Sequence, residues 1–369
     1  MINVLVTGSD GFLGKNLCIQ LKENNNYIVN ECNRKTSRDE LQSYIKSADI
    51  IFHLAGTNRS SKNEDFKVNN EKFTHEICVI MQQLNVSPRI VFSSTIKVTE
   101  NNPYGTSKKD AETHLETFAN QNNSGLAIFR LPNLYGKWSR PNYNSVIATF
   151  CHNISRNLKI EIINGERTIE FAYVDDVVKD FIEIINTNFS DILFPKLKQS
   201  YKSNLNRIVK LLRSFSSMRD TLDILDCKDG FTKSLYSTYL SYVPPDNYFY
   251  DLVKNSDDRG DFVEFLKGKE FGQISYFSSK PGVTRGLHYH HTKTEKFLLI
   301  EGEAEFVSKD INTGKIFRLN VVSSQPQVID TIPGCIHAIT NTGKKDMKVI
   351  VWANEIFDKD KPDTIAKEI

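Results

Sequence analysis

The chain has 369 residues, 25% of them charged and 39% hydrophobic, with 47 lysines and arginines set against 45 aspartates and glutamates. That length exceeds one ordinary core and fits two domains, while a formal charge of +2 gives no field for holding nucleic acid or an anionic membrane. Six cysteines (Cys18, Cys32, Cys78, Cys151, Cys227, Cys335) without CxxC spacing suit reduced thiols rather than a disulfide framework. With no signal-peptide pattern after Met1 and no apolar run of bilayer length, a cytoplasmic location is expected.

Asn3–Thr7 is apolar and β-branched and runs into Gly8-Ser-Asp-Gly11-Phe12-Leu13-Gly14, after which Asn16–Lys22 has helical spacing. Strand, glycine turn and helix in that order form a phosphate cradle. The glycines let the backbone approach a pyrophosphate, and the helix N-terminus offers free N–H groups. A second strand is expected at about Tyr27–Cys32, and it ends in Asn33-Arg34-Lys35 with Arg38 nearby rather than in an acidic residue. Cationic groups there suit a 2′-phosphate, so NADPH is the expected cofactor.

Further buried strands are expected at Asp49–Leu54, Arg89–Ser93 and Leu126–Arg130. Their alternation with helical stretches predicts a doubly wound parallel sheet of Rossmann type. Tyr104 and Lys108 lie four residues apart and share a helix face. A phenol near pKa 10 is a poor acid at neutral pH; an ammonium beside it favours the phenolate. Thr95, at the end of the Ser93-Ser94-Thr95 run, can donate to a substrate carbonyl oxygen.

These segments, with His53-Leu54-Ala55-Gly56, Arg130-Leu-Pro-Asn133-Leu-Tyr135-Gly136 and Phe171-Ala-Tyr173-Val-Asp-Asp176, make residues 1–240 resemble the extended short-chain dehydrogenases/reductases that act on nucleotide sugars. The resemblance implies cofactor contacts at Gly8, Gly11, Phe12, Leu13, Gly14, Asn33, Arg34, Leu54, Ala55, Gly56, Tyr104 and Lys108, with Tyr104, Lys108 and Thr95 as the catalytic set. It also implies a substrate contact at Asn133. Ile169-Glu170 stand where that family usually has an arginine, with Arg167 as a substitute, and Thr95 replaces its usual serine.

From about Asp191 to Tyr242 the pattern is helical and polar, read as the close of a first domain (1–243). Val243-Pro244-Pro245-Asp246 is read as a hinge. Residues 247–369 show short strands between turn signals such as Pro281-Gly282, Glu301-Gly302, Asn312-Thr-Gly314 and Pro333-Gly334, the rhythm of an antiparallel sandwich or barrel. His288 and His290 share a strand face, Glu295 follows, and His337 comes after a Pro-Gly turn. Three imidazoles and a carboxylate are a first shell for Zn²⁺ or another divalent transition metal. Gly282, His288, His290, Glu295 and Gly302, then Pro333-Gly334, His337 and Asn341, resemble the two cupin motifs, so an all-β cupin barrel is expected. Asp258-Arg259-Gly260 and Arg285-Gly286-Leu287-His288 further resemble nucleotide-sugar 3,5-epimerases. That likeness implies substrate contacts at Arg285 and Arg259 and a base at His288. Metal ligand and base are both open for His288, and Lys296 is a candidate to stabilise an enolate.

A ketone at C4 of a sugar acidifies the C3 hydrogen, which a base and an electrostatic clamp can remove and return; reduction of the ketone then ends that acidity. The whole chain resembles the family of bifunctional capsule-biosynthesis enzymes of bacterial UDP-N-acetyl-L-fucosamine synthesis. The resemblance implies C3 epimerisation of a UDP-4-keto-6-deoxy-2-acetamido-hexose in the barrel. NADPH reduction to UDP-2-acetamido-2,6-dideoxy-L-talose would follow, in a homodimer that binds neither nucleic acid nor membrane. A reductase with a purely structural barrel, a non-catalytic nucleotide-sugar sensor, and a domain using tightly held NAD are the competing readings.

Overall fold

Strands β1 (Ile2–Thr7), β2 (Tyr27–Cys32), β3 (Ile50–His53), β4 (Arg89–Thr95) and β5 (Leu126–Leu131) hold the centre of the computed structural model's first sheet. Two strands lie outside that core set, β6 (Asn133–Tyr135) and β7 (Ile169–Tyr173), which pair with each other in parallel. With β8 (Ile192–Leu193) the first sheet is six-stranded, in the order β2-β1-β3-β4-β5-β8. Every pairing in it is parallel. The structure describes residues 1–222, 226, 228–257, 260–263, 272–355 and 360–369.

The inner strands β3 and β5 are almost wholly buried, because both faces of the sheet are covered. Helices α1 (Phe12–Lys22), α2 (Arg38–Ser47), α3 (Asn63–Phe66), α4 (Phe73–Leu84) and α5 (Pro103–Asn122) come first in the chain. They are followed by α6 (Val146–Ile154) and α7 (Val174–Ile185). Val4, Val6, Phe52 and Phe129 pack with Leu17 of α1 and Phe181 of α7. Their neighbours Leu5, Ile51, Phe92 and Ile128 turn the other way, onto Ile77 and Met81 of α4 and Leu115 and Phe118 of α5. The strand order reverses between β1 and β3, and at such a switch point a crevice opens beyond the carboxyl ends of the strands. This is the doubly wound sheet expected from the sequence.

By contacts the chain divides into two units. The first holds Met1–Tyr135, Tyr143–Ser145 and Ile169–Lys202, and the second holds Gly136–Asn142, Val146–Thr168 and Ser203–Ile369. Helices α8 (Leu205–Thr221) and α9 (Gly230–Leu240) therefore cluster with the second unit. β9 (Tyr201–Ser203) joins β6 and β7 in a three-stranded sheet, and the second unit's strands are β10 (Phe249–Asp251), β11 (Lys254–Asp257), β12 (Gly260–Val263), β13 (Gln273–Ser279), β14 (Thr284–Tyr289), β15 (Glu295–Glu301), β16 (Glu303–Asp310), β17 (Ile316–Val322), β18 (Gln327–Asp330), β19 (Cys335–Asn341), β20 (Met347–Ala353) and β21 (Ile365–Ala366). Two five-stranded sheets result, β10-β18-β15-β20-β13 and β17-β16-β19-β14-β21, and their pairings are antiparallel. Phe297, Leu299, Phe306, Ile339 and Val349 from both sheets form one apolar core, as an all-β barrel requires.

Candidate active site and metal centre

The glycine turn is built by close approach. Gly8 has φ +71°, and a Cβ on it would lie 2.7 Å from the backbone of Ala55; a Cβ on Gly14 would lie 2.2 Å from the Gly8 carbonyl oxygen. Larger residues at either position would open the turn and separate β1 from the Leu54-Ala55-Gly56 segment beyond β3. No side chain caps α1 at Gly11, so the amides of Phe12, Leu13 and Gly14 stay available for a pyrophosphate. Thr7 pairs with Cys32 across β1 and β2, which sets Asn33 and the exposed Arg34 beside the same turn. Asn33 accepts the Lys35 amide at 2.9 Å and shapes this corner.

Asn102 and Pro103 start α5: the Asn102 side chain accepts the Gly105 amide at 2.8 Å and proline occupies the first turn. Tyr104 thus falls in the first turn, with Lys108 one turn on. Lys108 is buried, its Nζ 4.1 Å from the centre of the Phe92 ring and 3.8 Å from where a Gly56 Cβ would stand. The cofactor loop and the Tyr/Lys pair therefore converge. Burial lowers the Lys108 pKa to about 7, against the opposing charge of Glu112. Burial raises the Tyr104 phenol, and a hydrogen bond with Thr95 partly offsets this. The influence on Tyr104 expected from Lys108 is not among its causes; Thr95 supplies the lowering.

Two supporting residues carry no sequence signal of their own. Asn70 accepts the Thr57 amide at 2.7 Å and donates to Thr57 O at 3.0 Å and Ser107 Oγ at 2.9 Å. It sits in a π-helical turn, Lys67–Lys72, a distortion common at functional sites. Glu112, fully buried, accepts from Ser94 Oγ at 2.5 Å and from Arg130 at 2.6 and 3.0 Å. It lies a further turn along the Tyr104–Lys108 face of α5. Asn133 is exposed and donates to Glu170 O at 3.2 Å. Arg167, in the second unit, is exposed. Arg259 lies outside the described residues.

In the second unit His288, His290, Glu295 and His337 come together, one ligand atom from each lying within 4.8 Å of the others. A break in strand register makes this possible. Gly286 pairs with Ala338 but His288 pairs with His337, leaving Leu287 as a bulge with φ +56°. Directly paired residues face the same side, so Arg285 (opposite Ile339), His288 and His337 share the inner face. Strict alternation would have sent Arg285 and His288 to opposite faces. Arg285 stands exposed, its guanidinium 5.3 Å from the Phe277 ring centre.

Oε2 of Glu295 is 3.2 Å from Nε2 of both His290 and His337. Burial pushes the Glu295 carboxyl up, but the two imidazoles outweigh it and hold it well below the ordinary range. His290 Nδ1 donates to the Asp363 carbonyl, and His288 Nδ1 lies 3.0 Å from the Gly286 carbonyl. A carbonyl only accepts, so both rings carry a proton on Nδ1, and Nε2 of His290 faces the Glu295 carboxylate. The buried His337 likewise turns Nε2 to the Glu295 carboxylate, at 3.2 Å. Three imidazoles and a carboxylate with ligand atoms this close are a donor set that fits Zn²⁺ or a similar ion, whose ligands bind at about 2 Å. Burial and the neighbouring His337 and His290 push His288 down to about 4.

Lys296 is not part of this cluster, which corrects its expected place beside an enolate. It follows Glu295 in β15 and so faces the other way. There its buried Nζ lies 2.7 Å from Asp330 Oδ1.

The description "NAD dependent epimerase/dehydratase family" matches residues 4–192, and "Polysaccharide biosynthesis C-terminal domain" matches residues 255–365. The chain is 43% identical over 365 residues to a Pseudomonas aeruginosa protein named UDP-2-acetamido-2,6-beta-L-arabino-hexul-4-ose reductase, covering 99% of this chain and 98% of the relative. Spore coat polysaccharide biosynthesis protein SpsL of Bacillus subtilis is 28% identical over 122 residues, which is 30% of this chain and 81% of that protein. Among solved structures, the capsular polysaccharide assembling protein CapF from Staphylococcus aureus is 39% identical, with a TM-score of 0.69 and full coverage of both chains. With its glycine turn, its Tyr104–Lys108 pair and these matches, the chain belongs to the NAD dependent epimerase/dehydratase family.

Proposed function

We propose that this protein reduces the C4 ketone of a UDP-linked 6-deoxy-2-acetamido-hexulose with NADPH, after its barrel has inverted C3 of the same ketone. The product of that order is UDP-2-acetamido-2,6-dideoxy-L-talose. One observation carries the reading: the Thr95–Tyr104–Lys108 arrangement belongs to a chain that matches, over its full length, a relative named as a 4-ketose reductase. Family membership brings a nicotinamide, which supplies a hydride when bound.

Thr95 lies near enough to the Tyr104 phenol to offset part of its upward shift, so their hydroxyls form a natural pair of donors to one ketone oxygen. Tyr104 gives its proton to that oxygen as the carbon becomes tetrahedral. Lys108, against Gly56, holds the cofactor ribose. The α1 amides receive the pyrophosphate and Arg34 the 2′-phosphate. In the barrel, a divalent cation supplies positive charge to a developing enolate when bound. His290, Glu295 and His337 hold it, being the most enclosed of the four. His288, half-exposed at the edge of the cluster, uses its Nε2 to take and return the C3 proton. Arg285, brought to the same face by the Leu287 bulge, meets the substrate's anionic portion.

The test is a single incubation with a UDP-4-keto-6-deoxy-amino sugar and NADPH in deuterated water, read by NMR. Deuterium at C3 together with NADPH oxidation is expected, and the absence of both would sink the proposal. A second reading, reduction alone, is favoured by the relative's printed name, which mentions only a reductase. It predicts oxidation of NADPH without deuterium at C3.

A further inference from the structure

The C-terminal strand is laid along the strand that carries the histidines. β21 pairs antiparallel with β14, Ala366 opposite His288 and Ile365 opposite Tyr289, and the Lys367 amide donates to Leu287 O at 2.8 Å. Just ahead of it, Asp363 makes an unusual number of bonds to the turn after His290. Its carboxylate accepts the amides of His291 at 2.8 Å, Thr292 at 2.6 Å and Lys293 at 2.8 Å, and the Thr292 hydroxyl at 2.8 Å. Its own carbonyl receives Nδ1–H of His290. The tail reaches a second member of the cluster as well: Lys293 Nζ donates to Thr364 Oγ1 at 3.0 Å and lies 3.5 Å from Glu295 Oε1.

An imidazole ligand binds metal through one nitrogen, and the hydrogen bond at the other fixes its tautomer and ring orientation. A backbone carbonyl does this well only if its own segment is fixed. The four bonds to the Asp363 carboxylate fix it, since they tie the segment to the turn that begins at His290 itself. We infer that Asp363 is a positioning residue for His290 and that residues 360–367 form a clasp that sets the affinity of the His–Glu cluster for a divalent cation. This rests on the reading of the cluster as a metal site.

The test uses the full-length protein and zinc, with affinity measured by competition against a chromogenic chelator. Asp363→Ala is expected to weaken zinc binding about 10- to 100-fold, the usual cost of losing an outer-shell partner, while NADPH binding by the first unit stays unchanged. A double-mutant cycle separates positioning from general loosening: in a His290→Ala background, Asp363→Ala should cost little more. Wild-type affinity in Asp363→Ala, or an equal loss with and without His290, overturns the inference. Should Asp363→Ala not fold, Lys367→Pro removes the amide that donates to Leu287, along with the ammonium over the Tyr289 ring, and loosens the same strand. A several-fold loss is expected there, and unchanged affinity overturns the clasp. Wild-type protein that binds no zinc overturns the metal site and the clasp with it, a result distinct from zinc binding that ignores Asp363.

Discussion

Glu295 and Lys296 are neighbours in β15 that serve opposite sides of one sheet. Glu295 meets the imidazoles of His290 and His337 on the inner face, beside Phe297 and Leu299 of the barrel core. Lys296 is the direct cross-strand partner of Asp330 on the outer face. There Asp330 also receives Arg219 of α8 at 2.8 Å, and Lys296 Nζ lies 3.4 Å from the Tyr250 hydroxyl. Burial pushes the Lys296 ammonium down, but Asp330 outweighs it and keeps the group charged.

This pairing predicts a stability effect separate from chemistry. Asp330→Ala leaves Lys296 as an uncompensated buried charge, and removing one partner of such a pair costs about 3–5 kcal/mol. Urea unfolding of the second unit should show a loss of that order. The double variant Lys296→Met/Asp330→Leu should recover much of it, because the buried charge leaves with its partner. A double variant as unstable as Asp330→Ala would contradict the account.

Tyr104 predicts the largest loss of reduction. Tyr104→Phe removes the proposed proton donor and keeps the ring that lies 6.0 Å from Phe66. Turnover should fall about 10²- to 10⁴-fold, the typical share of a general acid, with NADPH affinity near wild type. Thr95→Val should cost less, because Tyr104 still reaches the ketone. Unchanged NADPH oxidation in Tyr104→Phe would return the sensor reading to favour.

The parallel sheet, its glycine turn and the barrel were legible in the sequence because each follows from periodicity and turn residues. β1, β3, β4 and β5 fall within a residue or two of the expected strands. The face assignments were less legible. Adjacency in sequence made Lys296 look like part of the Glu295 site, and only strand alternation separates them. The Leu287 bulge, by contrast, rephases β14 and brings Arg285 to the histidine face. Asn70, Glu112 and Asp363 act through packing partners distant in sequence, so no local pattern marked them.

Lys108 predicts two pH effects with one cause. Its ordinary value of 10.5 drops to about 7 in the folded chain because it is buried. If its charge holds ribose and assists Tyr104, kcat/KM for NADPH should fall as pH rises through about 7, since that ratio reports the free enzyme. For stability, the unfolded chain binds the extra proton between about 7 and 10.5, so folding is favoured by rising pH across that window and is penalised fully below it. Lys108→Met should therefore raise the unfolding temperature more at pH 6 than at pH 9 while abolishing turnover. An equal effect at both pH values would show that Lys108 keeps an ordinary pKa.

Arg34 predicts cofactor choice. It is exposed beyond β2 at the glycine turn, where a 2′-phosphate would meet it. Arg34→Ala should raise KM for NADPH about tenfold or more, the cost of one charge-assisted hydrogen bond, and leave NADH nearly unaffected. Comparing kcat/KM for the two nucleotides in both proteins checks this. A wild-type protein that prefers NADH would overturn it.

His288 decides how the barrel works. Its Nδ1 proton is directed at the Gly286 carbonyl, so one lone pair, on Nε2, is left for a cation or, in the proposed epimerisation, for the C3 hydrogen. On the proposed metal site, the buried His290 and His337 and the Glu295 carboxylate between them would supply three ligands, and three ligands with an open position is the arrangement of catalytic metal centres. His288→Gln should therefore abolish C3 deuterium exchange while zinc affinity falls less than tenfold, and NADPH oxidation with a 3-epimerised ketone supplied directly should continue. His337→Ala should do the reverse in order of cause, losing zinc first and exchange as a consequence. If His288→Gln strips the metal as completely as His337→Ala, His288 is a ligand and the proton must be taken by another group.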